Sequence, residues 1–97
     1  MKRVLIAGAG ISGLSTAFYL RRLRPDLAVT VLDPRERLGG VITTQARDGF
    51  VIEGGPDSFI TLKPWGVQLC RELGIEDRLF STDPANRKVY ILTRGRL

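Results

Sequence analysis

The chain is predicted to be an α/β protein that opens with a parallel β-α-β unit, and three observations carry that prediction. "RVLIAG", residues 3 to 8, is a short continuous apolar run halted by glycine, the pattern of a strand covered on both faces. From Ile11 to Arg24 the apolar positions change to helical spacing, with Gly13, Ala17 and Leu20 on one side and Leu14 and Phe18 beside them. "LAVTVLD", residues 27 to 33, is a second strand rich in β-branched residues. Strand, helix and strand within about thirty residues make a right-handed crossover between parallel strands.

Each boundary has a local cause. Arg21, Arg22 and Arg24 fill the last helical turn, where cations suit the negative end of the dipole, and Pro25-Asp26 stop the helix. Asp48-Gly49 lies between two alternating runs and predicts a β-hairpin. "GGPDSF", residues 54 to 59, reads as a glycine-proline turn. Pro64 sits near the start of a helix through about Leu73, with Trp65, Leu69 and Leu73 on one face and Gly74 as its terminating residue. "IEDRLF" predicts a further helical turn. "NRKVYILTRGRL" predicts a strand, a turn at Arg94-Gly95 and the start of a return strand.

Ninety-seven residues suffice for one small domain, and 43% hydrophobic content makes it globular and not disordered. Two parallel strands and an unfinished hairpin are poor structures alone, so the chain is expected to be the N-terminal piece of a longer one. The net charge is +5, carried by twelve arginines against three lysines. The arginines form no run and alternate with no aromatic residues, a pattern that disfavours nucleic acid. Cys70 is single and lies in a helical pattern, the place of a small buried hydrophobe in a reducing, cytoplasmic setting. With no histidine and one cysteine, no metal site of the usual ligand types is expected. The uncharged run from Val4 to Leu20 is too short to span a bilayer and carries three glycines.

Those glycines define the first candidate site. Gly8-Ala9-Gly10-Ile11-Ser12-Gly13 is G-x-G-x-x-G between a strand and a helix. Its first glycine permits the tight turn, its second lets a pyrophosphate approach the backbone, and its third lets helix and strand pack closely. Phosphate would rest on the free N–H groups at the positive end of the helix. Asp33 follows Gly13 by twenty residues and ends the second strand, where a carboxylate accepts hydrogen bonds from both adenosine ribose hydroxyls and repels a 2′-phosphate. The same acid could also simply cap the turn with Pro34. Arg37 with Gly39-Gly40 adds a cation and bare backbone for a second stretch of phosphate or ribityl chain.

D-x-x-x-R-x-G-G after the second strand resembles the second motif of the FAD-dependent amine oxidase superfamily. That motif normally begins with glutamate, so Asp33 is one methylene shorter. "ERLGGVI", "EGGPDSFITLKPWGVQLCRELGIEDRL" and "DPANRKVYILTRGRL" together resemble the oxygen-dependent protoporphyrinogen and coproporphyrinogen oxidases of haem (heme, porphyrin) biosynthesis, and the likeness covers essentially the whole chain. The resemblance implies a Rossmann-type FAD-binding segment over residues 1–79 and the beginning of a substrate-binding region over 80–97. It implies that Gly8, Ala9, Gly10, Ile11, Ser12, Gly13, Asp33, Arg37, Gly39, Gly40 and Val41 contact FAD, with Gly55, Pro56, Asp57 and Ser58 along the flavin side. Arg87 would pair with a porphyrinogen propionate, which guanidinium holds bidentately. A rim arginine beside Lys88 is the plain alternative, and for Asp57 it is a turn residue bonded to its own backbone.

The implied parent is a flavoprotein oxidoreductase with a porphyrinogen substrate and molecular oxygen as partners, and with membrane-surface contact only through chain outside this segment. The segment itself is expected to be inactive and to hold no general acid or base. Rival readings are another FAD-dependent amine oxidase or desaturase, an NAD-dependent dehydrogenase, and a non-catalytic dinucleotide-binding fragment.

Overall fold

The computed structural model describes all 97 residues, which divide into two compact units, residues 1–59 and 60–97. The first unit opens with β1 (Arg3–Ala7), α1 (Ile11–Leu23) and β2 (Ala28–Leu32), the β-α-β unit read from the sequence. β1 and β2 are parallel, in register from Arg3 against Ala28 to Ala7 against Leu32. α1 packs on both strands. Its first half-buried positions include Gly13, Leu14, Ala17 and Phe18, the stripe that the helical spacing anticipates.

α1 ends where its charges suggest. Arg21 and Arg22 occupy the last turn, and Arg24 caps it through its N–H to the Leu20 carbonyl at 2.8 Å. Arg24 then grips Asp26 with two hydrogen bonds of 2.8 and 2.6 Å, closing the turn into β2. The Arg22 guanidinium lies 5.3 Å from the Phe18 ring centroid, a cation over an aromatic face.

β3 (Thr44–Arg47) and β4 (Phe50–Glu53) form an antiparallel hairpin pairing Arg47 with Phe50. Its two-residue turn holds Asp48 at φ 51° and Gly49 at φ 80°, positive at both places as a type I′ turn requires. The hairpin predicted at Asp48-Gly49 therefore forms.

In the second unit, α2 (Trp65–Glu72) starts after Pro64 and ends at Leu73, with Gly74 in the left-handed region at φ 73°. A single 3₁₀ turn follows at Glu76–Arg78 and packs on α2, tied by Arg71 to Glu76 through hydrogen bonds of 2.9 and 2.8 Å. A second 3₁₀ turn spans Pro84–Asn86. Cys70 is only partly buried, against the expectation of a fully buried position, because α2 has so little packed on it.

The strand expected in "NRKVYILTRGRL" does not form. Only the turn does: Thr93 and Arg96 make an isolated bridge around Arg94 at φ 47° and Gly95 at φ 74°. Val89 to Leu92 find no neighbouring strand for their N–H and C=O groups, and β propensity without a ladder partner does not make a strand. Ala9, at 1% exposure, is the one fully enclosed apolar residue, and it sits in the glycine loop. No helix is long and apolar enough to cross a membrane.

Candidate functional site

The loop between β1 and α1 is shaped by its glycines. Gly8 has φ +105°, a conformation that side chains rarely adopt, and its N–H donates to the Leu32 carbonyl at the end of β2 over 2.6 Å. At Gly13 a Cβ would overlap the Gly8 carbonyl oxygen and crowd Ile6, so only glycine lets α1 start this close to β1. The first helical hydrogen bond runs from Leu14 N–H to Gly10 C=O at 3.0 Å, and no side chain caps the helix. The amides of Ile11, Ser12 and Gly13 are left without intrahelical partners, at the positive end of the dipole.

A second glycine loop lies against the first. Gly39 N–H donates to Ala9 C=O at 2.8 Å, and a Cβ on Gly40 would stand 3.0 Å from the Gly10 Cα. Gly39 and Gly40 have φ values of +107° and +60°. Arg37 serves this loop locally: its guanidinium donates to the Gly40 carbonyl at 2.7 Å. Asp33 joins the two loops. Its Oδ2 accepts from Ala9 N–H and its Oδ1 from Arg35 N–H, both at 2.8 Å. Those two amides, the Ala9 bond first, hold the carboxyl below its usual pKa, helped by the charges of Arg35 and Arg37.

Between the loops opens a cleft of about 370 Å³. Gly8, Gly10, Ile11, Ser12 and Gly13 line one side, and Asp33, Gly39, Gly40 and Val41 line the other. Of the positions expected at a cofactor, these nine come together. Ala9 lies behind the wall and acts through its backbone. Ala7, Arg35 and Ile42 also line the cleft without having been anticipated. The signal for Arg35 was its place two residues past the β2 acid; Ala7 and Ile42 follow from the bend of each loop, which no motif records.

Gly55 stands one layer away, where a Cβ would overlap the Val41 carbonyl oxygen. It buttresses the cleft wall, while Pro56, Asp57 and Ser58 are exposed and lie outside the lining. In the second unit Arg87 is exposed and donates to the Thr82 hydroxyl at 3.2 Å. The turn before it is organised by Asp83, whose carboxylate accepts from Ala85 N–H at 2.9 Å and from the Asn86 side-chain amide at 2.7 Å.

The cleft suits a dinucleotide. Gly10 lines it without a side chain, next to the free helix amides of Ile11, Ser12 and Gly13. The β-α-β unit, its glycine loop and the acid closing β2 define a dinucleotide-binding protein of Rossmann type.

Comparison with known proteins narrows the class. The sequence profile of the flavin containing amine oxidoreductases matches residues 11–97, and the chain belongs to that family, whose cofactor is FAD. It is 38% identical over 100 residues to the coproporphyrinogen III oxidase of Bacillus subtilis, covering 99% of this chain and 21% of that one. It is 41% identical over 93 residues to the chloroplastic protoporphyrinogen oxidase of Nicotiana tabacum, covering 96% and 16%. Among solved structures, a protein assigned as a protoporphyrinogen oxidase from Exiguobacterium sp. 255-15 superposes with a TM-score of 0.74 at 45% identity, over 78% of this chain and 17% of that one. Putrescine oxidase bound to putrescine superposes with a TM-score of 0.67 at 38% identity, over 75% and 16%. The chain spans about a fifth of the length of the curated relatives it matches.

Proposed function

We propose that this chain is the N-terminal FAD-binding part of an oxygen-dependent oxidase that converts coproporphyrinogen III or protoporphyrinogen IX to the porphyrin. The observation that carries the reading is the extent of the likeness: relatives named for these two activities align along 96% to 99% of the chain, far past the glycine motif that all dinucleotide folds share. When bound, FAD supplies hydride acceptance at flavin N5 and reoxidation by molecular oxygen.

The residues of the chain bind and orient. The amides of Ile11 to Gly13 would hold pyrophosphate oxygens, and Gly10 and Gly40 would let them approach the backbone. Arg35, on the cleft wall, offers a cation to the same anionic ligand. Val41, held in place by Gly55, would carry the cofactor toward the turn at Pro56, Asp57 and Ser58 on the flavin side. Residues 80–97 are proposed to begin the substrate-binding region, with Arg87 pairing a substrate carboxylate. No side chain here is assigned as general acid or base.

A second reading, oxidation of a small amine, is favoured by the putrescine oxidase superposition. Its weakness is that the shared part is the cofactor fold. The deciding experiment is to express the parent protein, test it for bound flavin, and supply coproporphyrinogen III, protoporphyrinogen IX and putrescine under oxygen. Porphyrin fluorescence with either porphyrinogen supports the first reading, and the preferred substrate names the enzyme. Turnover of putrescine alone selects the second, and a colourless, NAD-binding parent rejects both.

A further inference from the structure

We propose that Val89–Leu92 is one half of a β-ladder whose other half is the chain following Leu97 in the parent protein, and that the turn at Arg94-Gly95 sets its register. The inference rests on the reading above of this chain as the N-terminal part of a longer one. It depends on neither the cofactor nor the substrate.

The turn is already built. Thr93 N–H donates to Arg96 C=O at 2.8 Å, and Arg96 N–H donates to Thr93 C=O at 2.9 Å. Between them Arg94 and Gly95 have φ values of 47° and 74°. The β3–β4 turn has the same form, with Asp48 and Gly49 at 51° and 80°, and there it carries a ladder of four pairs. Positive φ at both central residues twists the flanking chain as paired strands require. At Thr93 the ladder has a single bridge, and its next bonded pair would need position 98.

The waiting strand is unguarded. Val89, Tyr90, Ile91 and Leu92 are 88%, 71%, 70% and 71% exposed, and neither charge nor proline interrupts them. Edges that stay free are blunted by such residues, so four apolar residues in a row fit a strand that is paired. The occupant comes by continuity: the relatives are about five times as long, and in such a parent the chain leaves the turn directly alongside this strand.

The register follows by counting. Thr93 and Arg96 exchange two bonds, and bonded pairs alternate with unbonded ones along an antiparallel ladder. Ile91 therefore bonds position 98, and Val89 bonds position 100. Leu92 faces Leu97, and Tyr90 faces position 99, without bonds between them. One face carries Tyr90, Leu92 and Leu97, and the other Val89, Ile91 and Arg96.

The test uses the parent protein. Amide exchange at Val89 and Ile91 should be slowed about a hundredfold or more against an unstructured peptide, and fast exchange at both overturns the proposal. Register is read with cysteine pairs in a Cys70→Ser background. Tyr90→Cys with a cysteine at position 99 brings the Cα atoms to about 4.5 Å, within disulfide reach, and should cross-link within one molecule on oxidation. Tyr90→Cys with a cysteine at 98 or 100 sets the two side chains on opposite faces and should stay reduced. Cross-linking at 98 or 100 in preference to 99 overturns the register. A link to 99 found only between two molecules overturns the proposal and makes a second copy the occupant. If the cysteine variants do not fold, exchange in the wild type decides. A parent without bound flavin sinks the cofactor reading instead, and the ladder is still decided by exchange and cross-linking.

Discussion

Gly10 and Gly40 meet backbone to backbone: a Cβ on Gly40 would stand 3.0 Å from the Gly10 Cα, and Gly40 itself holds φ +60°. Two loops that are remote in sequence therefore meet where Gly40 has no room for a side chain, while a Cβ on Gly10 would stand in ordinary contact, 3.9 Å from the Gly40 Cα.

Gly40→Ala should accordingly damage the cofactor site twice over. The left-handed backbone costs about 1–2 kcal/mol for any residue with a Cβ, and the new methyl pushes the Gly10 loop away. The expected outcome in the parent protein is FAD binding weakened about tenfold or more, read from flavin fluorescence on titration of the cofactor-free protein. Unchanged affinity would show that the loops do not jointly hold the cofactor.

Gly55→Ala should act at a distance. Its methyl would overlap the Val41 carbonyl oxygen and displace Val41 and Ile42 from the cleft wall. Gly74→Ala is the control, because Gly74 also has a positive φ of 73° yet a Cβ there meets nothing within 4 Å. Both variants should lose about 1 kcal/mol or more of stability, but only G55A should lose flavin on gel filtration, followed by visible absorbance.

Acidification should loosen the glycine loop. Asp33 has a folded-state pKa below its unfolded value, chiefly through the Ala9 N–H and next the Arg35 N–H, with the Arg35 and Arg37 charges assisting. A depressed carboxyl contributes stability that is present above the unfolded pKa and lost as pH falls through the folded one. Exchange at the Ala9 amide, corrected for its intrinsic pH dependence, should rise relative to β1 amides in that acid range. In Asp33→Asn that relative rise should be absent, since the group no longer titrates.

The hairpin turn should tolerate Asp48→Asn and resist Asp48→Val. Asp48 sits at φ 51°, which asparagine adopts readily and which a β-branched residue adopts only under strain. The valine variant should lose about 1–2 kcal/mol of local stability, seen as faster exchange at the paired strand amides from Thr44 to Glu53.

The first unit was legible because its signals are local. An apolar run stopped by Gly8, a helical stripe from Ile11 and a β-branched run ending at Asp33 each constrain their own backbone, and Asp48-Gly49 selects its own turn. Val89–Leu92 departs from expectation for the opposite reason: a strand is a relation to a neighbour, and a β-prone apolar run states only one half of it. Arg35 and Ile42 escaped notice at the site because their place on the cleft wall depends on how the second loop folds back.

What the sequence determined alone is the class of ligand: a glycine loop between strand and helix, an acid after the second strand, and a second glycine pair beyond it. These are backbone requirements, and glycine spacing records them directly. What only the tertiary structure decided is how the side chains among them are used. Asp33 reaches the Ala9 amide because the two loops approach closely, while its bond from Arg35 and the bond from Arg37 to the Gly40 carbonyl form within the second loop as it folds back.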